Sequence, residues 1–264
     1  MTATTGTNGR VKVAARTLRT GAWWLAPLLT VVGLTTFVIY GLIRTFMNDN
    51  YWVPEYHYLA PFYSPCLSHA CQPGASHWGQ WFPDLGPLIT PPLFVLPFIL
   101  GFRLTCYYYR KAYYRSFWWA PPACAVRDVR PRYTGETRFP LILQNIHRYF
   151  FYLALPFPII LLVDAIQGFH FRNGWGMGLG SLVLLANAVL LGLYTLSCHS
   201  CRHLCGGHVD KFSRAPVRFW LWRQVSALNA SHMLYAWVSL VFVALTDLYV
   251  RLVATGAIHD PRFF

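Results

Sequence analysis

The sequence predicts an all-α, polytopic membrane protein in which five transmembrane helices form one bundle and the N-terminus is cytoplasmic. Of its 264 residues, 55% are hydrophobic and only 12% are charged, which is typical of a membrane protein rather than a water-soluble domain. Five apolar stretches reach the roughly 20 residues that a helix needs to cross a hydrocarbon core. They lie near residues 22–45, 88–109, 142–165, 176–200 and 226–250. Residues 1–264 contain no internal repeat and are interpreted as a single domain.

The positions of the basic residues predict the orientation. No Lys or Arg occurs between Arg44 and Arg103, although this interval contains the long polar loop 48–87. The N-terminal tail holds four basic residues, the second connection nine and the fourth connection five, which is 18 of the 22 in the chain. Basic connections remain in the cytoplasm, so the loop is outside and the C-terminus is too. The net charge of +13 is therefore assigned to topology and to anionic lipid or acidic partner surfaces, and no nucleic-acid role is predicted.

The first span and the outer loop follow from local composition. The first apolar run lacks a small-residue cleavage site and exceeds a signal-peptide core, so it is read as a retained span. The loop 48–87 is rich in Trp, Tyr, Pro and Gly, which suits a cap in the membrane interface. Its Cys66 and Cys71 lie in an oxidising compartment and are expected to form a disulfide. His69 between them leaves a metal site as the alternative.

The cytoplasmic ends of four predicted spans each carry a potential metal ligand. These residues are Cys106 on the second, His147 on the third, Cys198 on the fourth and His232 at the start of the fifth. Polar groups at such positions are costly unless they are paired or used. On the fourth and fifth spans, steps of three and four residues also place small and polar side chains on one stripe, which is expected to face the bundle.

Three kinds of site compete for these ligands. A structural zinc site is suggested by the spacing of Cys198 and Cys201, but the second such pair is missing. A b-type haem would need His147 and His232 facing each other across the bundle. A Rieske-type 2Fe-2S cluster would need two Cys on one iron and two His on the other, assembled here from separate helices. Downstream, Gly206 and Gly207 are expected to end the helix in the left-handed conformation.

Four strings carry a resemblance to a known family. They are "GFRLTCYYYRKAYYRSFW", "YTGETRFPLILQNIHRYFFY", "YTLSCHSCRH" and "HMLYAWVSLVFVALTDLYVRL". Over roughly residues 20–264 the chain resembles the membrane-anchor subunit of actinobacterial succinate dehydrogenase, respiratory complex II. The resemblance implies a multi-pass anchor in the bacterial plasma membrane. It also implies docking of a flavoprotein and an iron-sulfur subunit at the cytoplasmic face, with the succinate site on another chain and scope for a higher oligomer of the heterotrimer.

The resemblance further implies electron transfer to a membrane quinone, menaquinone or ubiquinone, through a Rieske-type 2Fe-2S cluster in place of haem b. The expected metal ligands are Cys106, His147, Cys198 and His232, with Cys124, Cys201, His199 and His203 as reserves. No catalytic residue for succinate is expected on this chain. A membrane scaffold that docks soluble proteins without a redox role is the alternative from another class. Proton-donating or polar residues near the inner face are the candidates for binding quinone, and they are Arg103, Tyr107, Arg148, Tyr149 and Ser226.

Overall fold

The structure, a computed structural model, describes residues 21–124, 126 and 135–264 and is mostly helical. The basic N-terminal tail and part of the second connection, on which the predicted orientation rests, lie outside the described residues. The α-helices are α1 (Leu25–Met47), α2 (Leu96–Thr105), α3 (Tyr107–Phe117), α4 (His147–Ala154), α5 (Phe157–Gln167), α6 (Leu179–Leu196), α7 (His199–Gly206), α8 (Pro216–Asn229) and α9 (His232–Ala254). Short 3-10 helices occupy Pro61–Tyr63, Pro91–Phe94, Gly135–Thr137, Leu141–Ile146 and Phe212–Arg214.

Four helical segments in the described part of the chain are long and apolar enough to cross a membrane. They are Leu25–Met47, Leu141–Gln167, Leu179–Leu196 and His232–Ala254. Large aliphatic side chains of α1 such as Leu29, Val32 and Val38 are more than half exposed. So much apolar surface on one helix is stable against lipid and unstable against water, which agrees with the predicted membrane class.

The second predicted span, 88–109, is not one continuous helix, and the expectation that it would be is wrong. It comprises the 3-10 turn Pro91–Phe94, the ten-residue α2 and then a break at Cys106, whose backbone is extended with φ −64° and ψ 133°. The prolines at 91, 92 and 97 lack the N–H that an interior helical residue needs, so the regular helix starts late. The chain resumes as α3 after the break.

Two other predicted spans also differ from the structure at the ends that were predicted to be cytoplasmic. The fourth segment ends at Leu196 instead of residue 200, because Cys198 is extended with φ −64° and ψ 145° and starts α7. The fifth begins at His232, since residues 216–229 form the separate helix α8. The helix end at Gly206 is confirmed, but Gly207 has φ −66° and is not left-handed.

A compact cap covers the opposite end of the bundle. Two short antiparallel hairpins lie there: β1 (Trp52–Val53) pairs with β2 (Tyr58–Leu59), and β3 (His170–Phe171) pairs with β4 (Gly174–Trp175). The predicted disulfide between Cys66 and Cys71 is present. Beneath the cap, Arg44 Nε donates to Asp247 Oδ2 at 2.8 Å, and this ion pair between α1 and α9 is completely buried.

Close contact between α2 and α4 positions the end of the bundle that lies opposite the cap. A side-chain carbon added at Gly101 would lie 2.2 Å from the ring of Phe150 on α4. Only a glycine therefore allows the two backbones to approach this closely. Thr105 lies one turn further along α2, where its hydroxyl meets His147 at the start of α4, with Oγ1 2.8 Å from Nδ1.

Candidate metal centre

Two cysteines occupy equivalent positions at helix N-termini. Cys106 is the N-cap of α3 and Cys198 is the N-cap of α7, and both side chains are buried. The backbone N–H of Ser200 donates to Cys198 Sγ at 3.4 Å, and those of Tyr108 and Tyr109 are directed at the sulfur of Cys106. Because a helix N-terminus carries partial positive charge, these N–H groups would stabilise a metal-bound thiolate at both positions.

Two histidines occupy the first positions of two further helices, and each meets a cysteine. His147 begins α4, and its Nε2 lies 3.2 Å from Cys198 Sγ. His232 begins α9, and its Nε2 lies 3.6 Å from Cys106 Sγ. The N-termini of α3, α4, α7 and α9 therefore converge at one level and present two thiols and two imidazoles, as the sequence predicts for these four residues.

Each cysteine follows a hydroxyl residue that holds the histidine of the opposite pair. Thr105 precedes Cys106 and contacts His147 Nδ1, whereas Ser197 precedes Cys198 and contacts His232 Nδ1, with an Oγ to Nδ1 distance of 2.7 Å. Both histidines thus have one ring nitrogen at a hydroxyl and the other at a sulfur. The strings "TC" and "SC" in the sequence contain this arrangement, but only the fold shows that the contacts cross.

A buried cation lies beside the four ligands. Arg103 donates to the hydroxyl of Tyr109 and, at 3.2 Å, to that of Ser239. Its guanidinium carbon lies 4.7 Å from the ring centre of Tyr194, and the ring of His232 stacks on Tyr194 with the ring centres 5.2 Å apart. Within the described ranges, no carboxylate pairs with Arg103. The centre therefore combines four helix N-termini with an uncompensated cation and is strongly electropositive.

The reserve ligands are less well placed. Cys124, His199 and His203 are exposed, and His199 Nδ1 is bonded to the side chain of Asn229 at 3.0 Å. Cys201 is buried one turn into α7. Over residues 21–124, 126 and 135–264, no three His, Cys, Asp or Glu side chains are grouped around one point as for a single ion.

The five residues predicted to bind quinone differ in their exposure. Arg103 is buried, while the side chains of Tyr107, Arg148 and Tyr149 are exposed on the outside of the chain. Ser226 lies on α8 and accepts a hydrogen bond from Arg202. These assignments stay predictions.

Arg103 does line an apolar cavity of about 520 Å³ between α1, α2 and α3. Its polar lining includes Tyr109, Tyr113 and Gln144. The buried Oε1 atom of Gln144 has no hydrogen-bond partner among the described residues. Sequence reasoning missed Tyr109 and Gln144, although a glutamine four residues into an apolar span is a detectable signal.

The fold and this centre define a membrane-embedded helical subunit with a buried thiol and imidazole site at one membrane face. Residues 25–256 match the model of the family described as actinobacterial succinate dehydrogenase subunit SdhC, and the chain belongs to that family. It is thus a membrane subunit of a succinate dehydrogenase. Among solved structures it is similar to a chain of the "Mycobacterium smegmatis Sdh1 complex in the apo form", with 57% identity, a TM-score of 0.91 and 100% of each chain covered. None of the curated protein sequences compared with the chain matches it.

Proposed function

We propose that this subunit passes electrons from the soluble part of succinate dehydrogenase to a membrane quinone through a Rieske-type 2Fe-2S cluster held by Cys106, Cys198, His147 and His232. The observation that carries the proposal is the crossed contact of two buried thiols with two imidazole Nε2 atoms, contributed by four separate helices. A 2Fe-2S cluster needs only two protein ligands on each iron. Two thiols and two imidazoles would supply the four protein ligands of such a cluster in number and kind.

The competing metal sites fit less well. Structural zinc would need four ligands around one ion, and no group of even three is present in the described part of the chain. A haem b would need the Nε2 atoms of His147 and His232 on opposite faces of one porphyrin, whereas here both face sulfur. The rings of these histidines are also packed on Phe102 and Tyr194, with ring centres 5.0 Å and 5.2 Å apart.

The residues of this chain provide the environment for electron transfer. When bound, the cluster supplies a one-electron carrier between the soluble subunits and quinone. The helix N-termini and Arg103 stabilise the negative charge that arrives with an electron. Burial of Cys106, Cys198 and His232 keeps water from their metal-facing atoms.

We infer that quinone binds in the cavity between α1, α2 and α3, with its head group near Arg103. Apolar residues of α1, α2, α3 and α9 line most of the rest of that cavity and suit an isoprenoid tail. The unpaired Gln144 Oε1 can accept a hydrogen bond from a quinol hydroxyl, and Arg103 or Tyr109 can donate to a quinone oxygen. Arg103 contacts Tyr194, which stacks on His232, so the cavity adjoins the proposed cluster.

The proposed topology has five crossings of the plasma membrane, an N-terminus in the cytoplasm and one membrane domain over residues 1–264. Support comes from the alternation of α1, α2, α4–α5, α6 and α9 between the cap and the inner end, with α2 as a short crossing extended by its 3-10 turn. Helices α3, α7 and α8 project at the inner face and carry basic side chains. We propose that the flavoprotein and iron-sulfur subunits dock there, and that the assembled heterotrimers can associate further.

Replacing His147 and His232 individually by alanine in the whole complex tests the proposal. We expect loss of the Rieske-type paramagnetic signal and of quinone reduction, while succinate oxidation by an artificial acceptor is retained. His208, which is exposed beyond α7, provides the matched control. An unchanged paramagnetic spectrum in both variants would refute the ligand assignment, and a b-type band in the reduced optical spectrum would establish haem instead.

A further inference from the structure

We infer that Thr105 and Ser197 are positioning residues that fix both histidines in the tautomer with a free Nε2 lone pair. The inference rests on the proposed cluster and assigns the ligating nitrogen, which is Nε2 at both His147 and His232. In the described part of the chain, neither hydroxyl is hydrogen-bonded to a sulfur of the site. Their effect is exerted through the imidazole rings.

Proton counting on the two hydroxyls gives the tautomer. Thr105 Oγ1 lies 2.7 Å from the backbone carbonyl oxygen of Gly101 and 2.8 Å from His147 Nδ1. A carbonyl oxygen can only accept, and the hydroxyl has a single proton. Both contacts are hydrogen bonds only if the hydroxyl donates to the carbonyl and Nδ1–H donates to the hydroxyl.

The same count applies to the second histidine. Ser197 Oγ lies 3.1 Å from the backbone carbonyl oxygen of Tyr194 and 2.7 Å from His232 Nδ1. The arrangement that satisfies both contacts again places the proton on Nδ1. Two histidines on different helices, one held by a hydroxyl at the end of α2 and the other by a hydroxyl just after α6, therefore have the same tautomer.

A neutral imidazole with its proton on Nδ1 has its lone pair on Nε2. In both rings Nε2 is the atom that faces a cysteine sulfur. Ligating histidines commonly donate their other N–H to a fixed acceptor, which orients the ring, and loss of that acceptor typically costs about 10- to 100-fold in metal affinity. Thr105 and Ser197 match this role, although neither is a ligand.

The first test uses Thr105→Val and Ser197→Ala in the whole complex. Each change keeps the approximate volume of the side chain and removes the acceptor for Nδ1–H. We expect the cluster signal to be lost at about tenfold lower chelator concentration than in the wild type. Thr105→Ser and Ser197→Thr retain the hydroxyl and should restore resistance.

Matched controls separate this effect from a general loss of a buried hydroxyl. Thr246 donates to the carbonyl oxygen four residues earlier in α9 at 2.9 Å, as Thr105 does in α2, but no histidine contact is recorded for it in the described residues. Thr246→Val should behave like the wild type. If the chelator curves of Thr105→Val and Ser197→Ala coincide with that of Thr246→Val, the inference is wrong.

The second test needs no substitution and so does not depend on the folding of a variant. Wild-type complex is prepared with histidine labelled with ¹⁵N at Nδ1 only, and electron-nuclear double resonance is recorded on the signal that His147→Ala removes. We expect only the weak coupling of a remote nitrogen. A strong, directly bonded coupling would overturn the inference while leaving the proposed cluster intact, whereas absence of the signal from the wild type would refute the proposed function itself.

Discussion

Replacing Arg103 by methionine should lower the reduction potential of the proposed cluster. The guanidinium is buried, has no carboxylate partner in the described residues and contacts Tyr194, which stacks on His232. Its guanidinium carbon is at most about 10 Å from the His232 ring, because the two intervening separations are 4.7 Å and 5.2 Å. At an effective dielectric constant of about 20, a unit charge at about 10 Å contributes about 1.7 kcal/mol to an added electron, or about 70 mV.

The assay is a redox titration of the paramagnetic signal in the purified complex. Arg103→Lys keeps the charge, so the reduction potential of the cluster should remain near the wild-type value. In Arg103→Met the reduction potential should fall by about 70 mV. Arg251→Met, which removes a cation at the opposite end of α9, controls for a change in net charge. A shift of less than about 20 mV in Arg103→Met would refute the argument that this charge acts directly on the site.

Three further predictions concern the surroundings of the centre. Gln144→Leu should raise the KM for quinone about fivefold, because it removes one hydrogen bond of about 1 kcal/mol. Steady-state kinetics will check this, with a substitution at the exposed neighbour, Asn145→Leu, as the control. Equal KM values in the two variants would contradict the proposed cavity. Gly101→Leu should separate α2 from α4 and lower the iron content of the complex. Gly33→Leu should leave the iron content unchanged, because Gly33 has open space around it. An unchanged iron content in Gly101→Leu would contradict the close-packing argument. Asp247→Asn should destabilise the complex by about 3–5 kcal/mol, because it leaves the buried guanidinium of Arg44 unpaired. Thermal unfolding will measure this loss, and a redox titration should show an unchanged cluster potential. An unaltered unfolding midpoint would contradict the prediction.

The general architecture could be predicted from the sequence because it depends on composition and periodicity. Long apolar runs identify four of the membrane segments. The disulfide of Cys66 and Cys71, which was expected because loop 48–87 was predicted to be outside, is present. The second segment could not be predicted in detail, since a run of apolar residues does not reveal where prolines delay a helix. The break at Cys106 is likewise invisible to hydropathy.

The clustering of the four ligand candidates could be predicted from the sequence because each lies at the same end of a predicted span. Their pairing could not, since Cys106 contacts His232 and Cys198 contacts His147 across four helices. Thr105 and Ser197 were missed for a related reason. A hydroxyl next to a cysteine is common in sequences, and its role appears only when the histidine of another helix is placed against it.

The quinone assignments from sequence relied on residue type near one membrane level, and residue type does not give side-chain direction. Tyr107 and Tyr149 point away from the bundle, whereas Tyr109, two residues after Tyr107, is buried beside Arg103. Because each residue of a helix is rotated by about 100° from the one before, two tyrosines that are two residues apart point in different directions. Depth alone was therefore insufficient to define the cavity.

The most direct test of the central claim compares iron content and the paramagnetic spectrum of the purified complex with those of the double variant His147→Ala, His232→Ala. The account predicts that the wild type carries two more irons per complex and shows, on reduction, a Rieske-type signal that the double variant lacks. Equal iron content and identical spectra would contradict it.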